Sequence, residues 1–133
     1  MLIPFINFKE HAGEAIAFYE TVFEVKNKQV SYYHDMPDHL KEHFPDYTMN
    51  NVLHAEMMLN GSPIWISDTT EDVVEGDLVT LAVPFPSEDD VQNAFDKLKI
   101  DGTVLMEPER TNYSPFLGMV KDKFGVTWHL ICR

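Results

Sequence analysis

Cysteine is almost absent from this chain: Cys132 is the single one in 133 residues. No internal disulfide is available, so the fold must rest on apolar packing, and a reducing compartment, the cytoplasm, is the expected location. Long apolar runs are missing too, and none approaches the length that crosses a bilayer. The N-terminal stretch MLIPFINFKE has no basic start followed by a long apolar segment, so no secretory signal is expected. Basic residues are scarce, 10 against 22 acidic ones, for a formal charge of -12. Such a surface repels phosphate backbones and anionic lipid, which removes nucleic acid and membranes from the expected partners. It leaves room for a cationic small molecule. Glycine is sparse as well, with 6 residues and no glycine-rich phosphate loop, so nothing supports a nucleotide-binding or methyl-transfer fold.

What is present is the composition of an ordinary globular domain, 44% hydrophobic and 24% charged. The pattern reads as an α+β fold made twice from the same grammar of strand, helix and three strands. Residues 2–8 are short, apolar and β-prone, and Ala12, Ala15, Ile16, Tyr19, Val22 and Phe23 recur at helical spacing over about 11–23. Residues 25–33 read as a strand, and 34–49 as a loop with one short helical turn. The segments LHAEMML and SPIWISD flank Asn60-Gly61, the dipeptide best suited to a two-residue hairpin turn because both positions need positive φ. That turn pairs Leu59 with Ser62, Met57 with Ile64, Glu56 with Trp65 and His54 with Ser67. One face then carries Leu53, Ala55, Met57, Leu59, Ile64 and Ile66, and must be covered by a helix. His54, Glu56, Met58, Trp65 and Ser67 lie on the other.

The acidic stretch Glu71 to Asp77 reads as a connector, giving a single domain of two modules, 1–70 and 76–133. In the second, Leu78–Val83 reads as a continuous apolar strand. Ser87 caps a helix with core positions Val91, Ala94, Phe95 and Leu98, Asp90 completes a capping box, and Gly102 marks the stop. Strands over about 103–107, 116–121 and 126–132 follow, the last two joined by Asp122-Lys-Phe-Gly125. The motif His39-Leu-Lys-Glu42-His43 matches the H-x-x-E-H pattern of inverted zinc proteases, but it sits between Pro37 and Pro45 with barely two turns of helix available. Surface residues on a loop, itself a possible lid, are the expectation. Cys132 falls on the helix-facing side with Trp128 and Leu130, a buried and inert thiol.

The segment PFINFKEHAGEAIAFYETVF, the His54-Ala55-Glu56 triplet, Ser67-Asp68 and the ending DKFGVTWHL together resemble the vicinal oxygen chelate superfamily of glyoxalase I, extradiol dioxygenases and bleomycin-resistance proteins. The nearest look is to its PhnB-like, demethylubiquinone methyltransferase-like branch. The resemblance implies paired βαβββ modules whose curved sheets enclose a cleft, usually in a homodimer, and it implies no single reaction. In metal-using members the ligands come from the first and last strands of each module. Carried onto this sequence, those positions fall on or near Pro4, Trp65, Leu78 and His129, of which His129 alone could coordinate. We therefore expect no metal and no cofactor. Phe8, His54, Trp65, Leu78, Phe116 and His129, with Ile131, would line a ligand site for a flat, partly apolar or cationic molecule.

Two functional readings follow. One is a small-molecule-binding protein, including a drug-sequestering, resistance-type version without catalysis. The other is a metal-independent enzyme in which His129, with Glu56, moves a proton. A metal-dependent lyase, isomerase or dioxygenase built on a non-standard set of His54, Glu56 and His129 is the alternative.

Overall fold

The computed structural model describes residues 1–112 and 114–133. The chain divides into two compact units, Met1–Val73 and Val74–Arg133.

The first unit runs β1 (Phe5–Lys9), α1 (Ala12–Val22), β2 (Val25–Tyr32), a single 3-10 turn (Tyr33–Asp35), a four-residue helix α2 (Asp38–Lys41), β3 (Val52–Leu59) and β4 (Ser62–Thr69). Its sheet has the order β1-β4-β3-β2. Asn60 and Gly61 sit at φ 47° and 86°, the two positive values that a tight hairpin turn requires. The register that follows is the expected one from Leu59↔Ser62 to Ala55↔Ile66. Ala55, Met57, Leu59, Ile64 and Ile66 are buried, on the side that also holds Ala12, Ala15, Ile16 and Tyr19 of α1 in the core. The alternation breaks at the start of β3. Ser31 pairs with His54 but Tyr32 with Val52, so Leu53 is an extra residue in the strand. That bulge turns Val52 inward, fully buried, and leaves Leu53 half-buried where the plain alternation had placed it in the core.

The second unit repeats the order as β5 (Leu81–Phe85), α3 (Glu88–Leu98), β6 (Thr103–Glu109), β7 (Leu117–Lys121) and β8 (Thr127–Cys132), with the sheet order β5-β8-β7-β6. Each unit is thus a βαβββ module in which the first strand lies parallel to the last. Ser87 Oγ accepts the Asp90 N–H at 3.1 Å and starts α3 as expected. Val91, Ala94, Phe95 and Leu98 are its buried stripe.

One boundary differs. Leu78 and Val79 are not in a strand: they are 98% and 73% exposed, and β5 begins at Leu81, opposite Trp128. The apolar run is continuous in sequence, but only its second half meets a strand partner, and pairing rather than hydropathy sets the strand.

Two buried carboxylates fasten these elements. Asp68, 5% exposed at the end of β4, accepts the Ala12 N–H at 2.7 Å and the Val52 N–H at 2.7 Å. It caps α1 from across the unit, which explains how that helix starts at His11 without a side-chain cap of its own. Asp122, 4% exposed, accepts the N–H of Phe124 and of Val126 and the Trp128 Nε1–H at 2.8 Å. The D-x-F-G-x-x-W ending is therefore a turn tied to a core tryptophan.

Candidate functional site

The face of the first sheet away from α1 is built from side chains that the two-residue alternation sends outward. Glu56 and Trp65 are directly opposed across β3 and β4, and Phe5 stands beside Trp65 on β1. His54 lies two residues from Glu56 on the same face. The result is one cluster. The Phe5, His54 and Trp65 rings meet edge-on, with centroids 5.6 Å (Phe5–His54), 5.7 Å (Phe5–Trp65) and 5.0 Å (His54–Trp65) apart. His54 Nε2 is 3.1 Å from Glu56 Oε1. Both polar side chains are partly open, 38% for His54 and 46% for Glu56, and Phe5 is 47% exposed. Large aromatic rings held edge-to-face, beside an exposed carboxylate, make a surface suited to flat or cationic groups.

His54, Glu56 and Trp65 are thus brought together. Phe8 is not with them. It is 4% exposed and packs on Tyr19 of α1 at 6.5 Å, because it is three residues from Phe5 and so points to the opposite face. The aromatic that completes the cluster is Phe5, next in sequence to Pro4, on or near which the first-strand position was expected. The parallel pairing of β1 with β4 decides this, and no local pattern encodes it.

In the second unit, His129 is half-buried on β8, between Ala82 on β5 and Met119 on β7. Within its own unit the described residues give the ring no hydrogen-bond partner. On the same strand face Thr127 is buried, and its hydroxyl has no partner among the described residues. Gly118 pairs with Leu130. It faces the helix, where an added Cβ would sit 2.8 Å from Pro108 Cγ and 3.2 Å from Phe95, so this glycine is required by close packing. Phe116 precedes β7, and its carbonyl accepts the Cys132 N–H at 2.9 Å, level with Cys132 rather than with His129. Leu78, exposed in the connector, is not a first-strand residue at all. The H-x-x-E-H segment keeps His39, Glu42 and His43 exposed around the four-residue α2. The loop around it is no free flap: Tyr33 N and His34 N bond Asn51 O and Met49 O, and Tyr47 Oη donates to Asp68 O at 3.0 Å.

A family model described as 3-demethylubiquinone-9 3-methyltransferase matches residues 1–131. The chain belongs to this family. It is 26% identical to protein YjdN of Escherichia coli over 137 residues, covering 96% of this chain and 91% of that one. Among solved structures it is similar to a PhnB protein from Bacillus cereus, with 26% identity, a TM-score of 0.80, and coverage of 99% of this chain and 98% of that one. The fosfomycin resistance protein FosX of Listeria monocytogenes has the same fold at 13% identity and a TM-score of 0.69, over 98% of this chain and 91% of FosX. The fold is therefore of the vicinal oxygen chelate type.

That fold implies a resident metal in its metal-using members. The strand pairing sets Phe5 beside Trp65 in the first unit and Ala82 beside His129 in the second. Trp65 and His129 are each the fourth residue after the turn glycine, Gly61 and Gly125. Carbon side chains hold two of these positions, an indole whose N–H only donates holds a third, and His129 alone offers a lone pair. An ion of this kind needs three or four such donors, so the residues present do not fit it. Among the described residues, no group of three or more His, Cys, Asp or Glu is placed to hold a metal ion. The family description names a methyl transfer, yet neither four-stranded mixed sheet is the doubly wound parallel kind that carries a glycine-rich cofactor loop. Among the described residues, no helix is long and apolar enough to cross a membrane.

Proposed function

We propose that this protein binds a small, flat, partly apolar molecule on the face of the first sheet away from α1, without a metal ion. The observation that carries the reading is the cluster itself: Phe5, His54 and Trp65 edge-on within 5.7 Å, with Glu56 hydrogen-bonded to His54 and open to solvent. The rings supply dispersion and the negative faces of their π-systems, and Glu56 supplies a full negative charge. A ligand with a positive charge gains from both, and the -12 net charge raises the local concentration of cations. A homodimer belongs to the same proposal, and mass in solution by light scattering tests it.

The test uses the two tryptophans. Trp128 is 1% exposed in the core, whereas Trp65 is half-buried in the cluster. Cationic aromatic probes, such as an alkylated quinolinium or acridinium, should quench the Trp65 emission saturably, and Trp65→Phe should remove the quenched component. Anionic probes of the same shape should bind more weakly. Equal quenching by both charges, or a signal that survives Trp65→Phe, would sink the reading.

A catalytic version with His129 as the proton carrier is the second reading. The half-buried ring on β8 without a polar partner in its unit is what favours it. His129→Ala separates the versions, since a sequestering protein keeps most of its affinity while an acid/base enzyme at His129 loses turnover.

A further inference from the structure

The cluster of the first unit holds more chemistry than binding needs, and this inference rests on the binding reading above. We propose that His54 is a general base held by Glu56, taking a proton from a flat conjugated carbon acid laid against Trp65 and Phe5.

A carboxylate only accepts, so His54 Nε2 at 3.1 Å from Glu56 Oε1 must carry the hydrogen. In the neutral ring the lone pair then lies on Nδ1, for which the described residues of this unit give no partner. One carboxylate fixing the ring and its tautomer, with the second nitrogen left free, is the arrangement by which a histidine acts as a base. When Nδ1 takes a proton the imidazolium forms beside the Glu56 carboxylate, and the imidazolium then returns the proton to water or to another atom of the ligand. The rings hold the group in place: Phe5 and Trp65 both meet the imidazole edge-on, so a flat molecule lying on these aromatics comes within reach of it. Neighbouring strands add Ser31 opposite His54 and Gln29 opposite Glu56, both neutral, so no second charge competes with Glu56 at these positions.

The experiment uses nitrobenzisoxazole, a flat aromatic carbon acid, with the full chain in chelator-treated buffer. A base removes the proton from the ring carbon beside nitrogen. That C–H electron pair forms the nitrile, and the N–O bond breaks with its pair leaving on oxygen as a coloured phenolate. The expected result is saturable phenolate release with quenching of Trp65. His54→Asn should lose roughly a hundredfold of the rate. Trp65→Phe should raise KM more than it lowers kcat. Glu56 is a positioning residue, so Glu56→Gln should lower kcat less than His54→Asn does. It should also shift the imidazole NMR signature away from the Nε2–H tautomer, a readout that mere structural damage does not produce. Both polar side chains are partly exposed, so these variants should fold, as circular dichroism checks. Quenching with no phenolate release, or a rate that survives His54→Asn, overturns the base assignment and leaves the binding reading standing. Absence of both quenching and release overturns the two together.

Discussion

Removing the Asp68 carboxylate should unfasten the first unit. The side chain is 5% exposed and accepts two backbone hydrogen bonds at 2.7 Å, from Ala12 and Val52, both of which are fully buried residues. Asn51 Nδ2 adds a long contact at 3.5 Å. Asp68→Ala leaves two buried N–H groups without an acceptor, at a cost of about 1–3 kcal/mol each. It also removes an anion from the N-terminus of α1, worth about 0.3–1 kcal/mol. The sum is about 3–5 kcal/mol once partial relaxation is allowed for, against a total of about 5–15 kcal/mol for a domain of this size. Asp68→Asn keeps one carbonyl oxygen and turns an NH2 toward the other donor, so about half that loss is expected. Urea unfolding followed by circular dichroism measures both, with the midpoint falling and the slope unchanged. The thermal midpoint should drop by about 10–20 °C for the alanine variant. A loss below about 1 kcal/mol for Asp68→Ala would refute the claim that a strand-end carboxylate is what starts α1.

Ile66→Ala, at a fully buried position on the inner face of the same sheet, should cost about 2–5 kcal/mol, whereas Trp65→Ala one residue away should cost far less and abolish ligand quenching; paired unfolding and fluorescence titrations check the contrast. Gly118→Ala should destabilise by about 1–3 kcal/mol, because its methyl meets Pro108 and the Phe95 ring; an unchanged denaturation midpoint would contradict the packing argument. Tyr47 has its phenol held above the ordinary value, first by burial and then by the negative charges of Asp68 and Glu71. The folded state therefore keeps that proton more tightly than the unfolded chain. The contribution is present below the ordinary phenol pKa and is lost as pH rises through the raised one. Tyr47→Phe should flatten the alkaline fall in stability, and an unchanged slope in unfolding at rising pH would count against it.

Much of the fold was legible because its signals are local. Asn60-Gly61 fixes a turn by its backbone preferences, the turn fixes the β3–β4 register, and the register places Glu56 beside Trp65. Ser87 and the Val91, Ala94, Phe95 and Leu98 stripe reveal α3 in the same way. What the sequence hid is what depends on distant partners. Phe5 and Phe8 look alike in a short apolar strand, and only the parallel pairing with β4 sends one outward to Trp65 and the other inward to Tyr19. Leu78 reads as strand by hydropathy yet has no strand beside it. The Leu53 bulge and the cap that Asp68 gives α1 join residues far apart in the chain, so neither leaves a trace in spacing. Of the candidate site, the trio of His54, Glu56 and Trp65 followed from strand alternation.

Phe5 beside Trp65 and Ala82 beside His129, on the paired first and last strands of the two units, do not make a metal site. Elemental mass spectrometry of the protein, purified without added metal or chelator, tests this most directly. Every transition metal should be well below one per chain. Near-stoichiometric zinc, nickel, manganese or iron, lost together with ligand binding on dialysis against chelator, would contradict it.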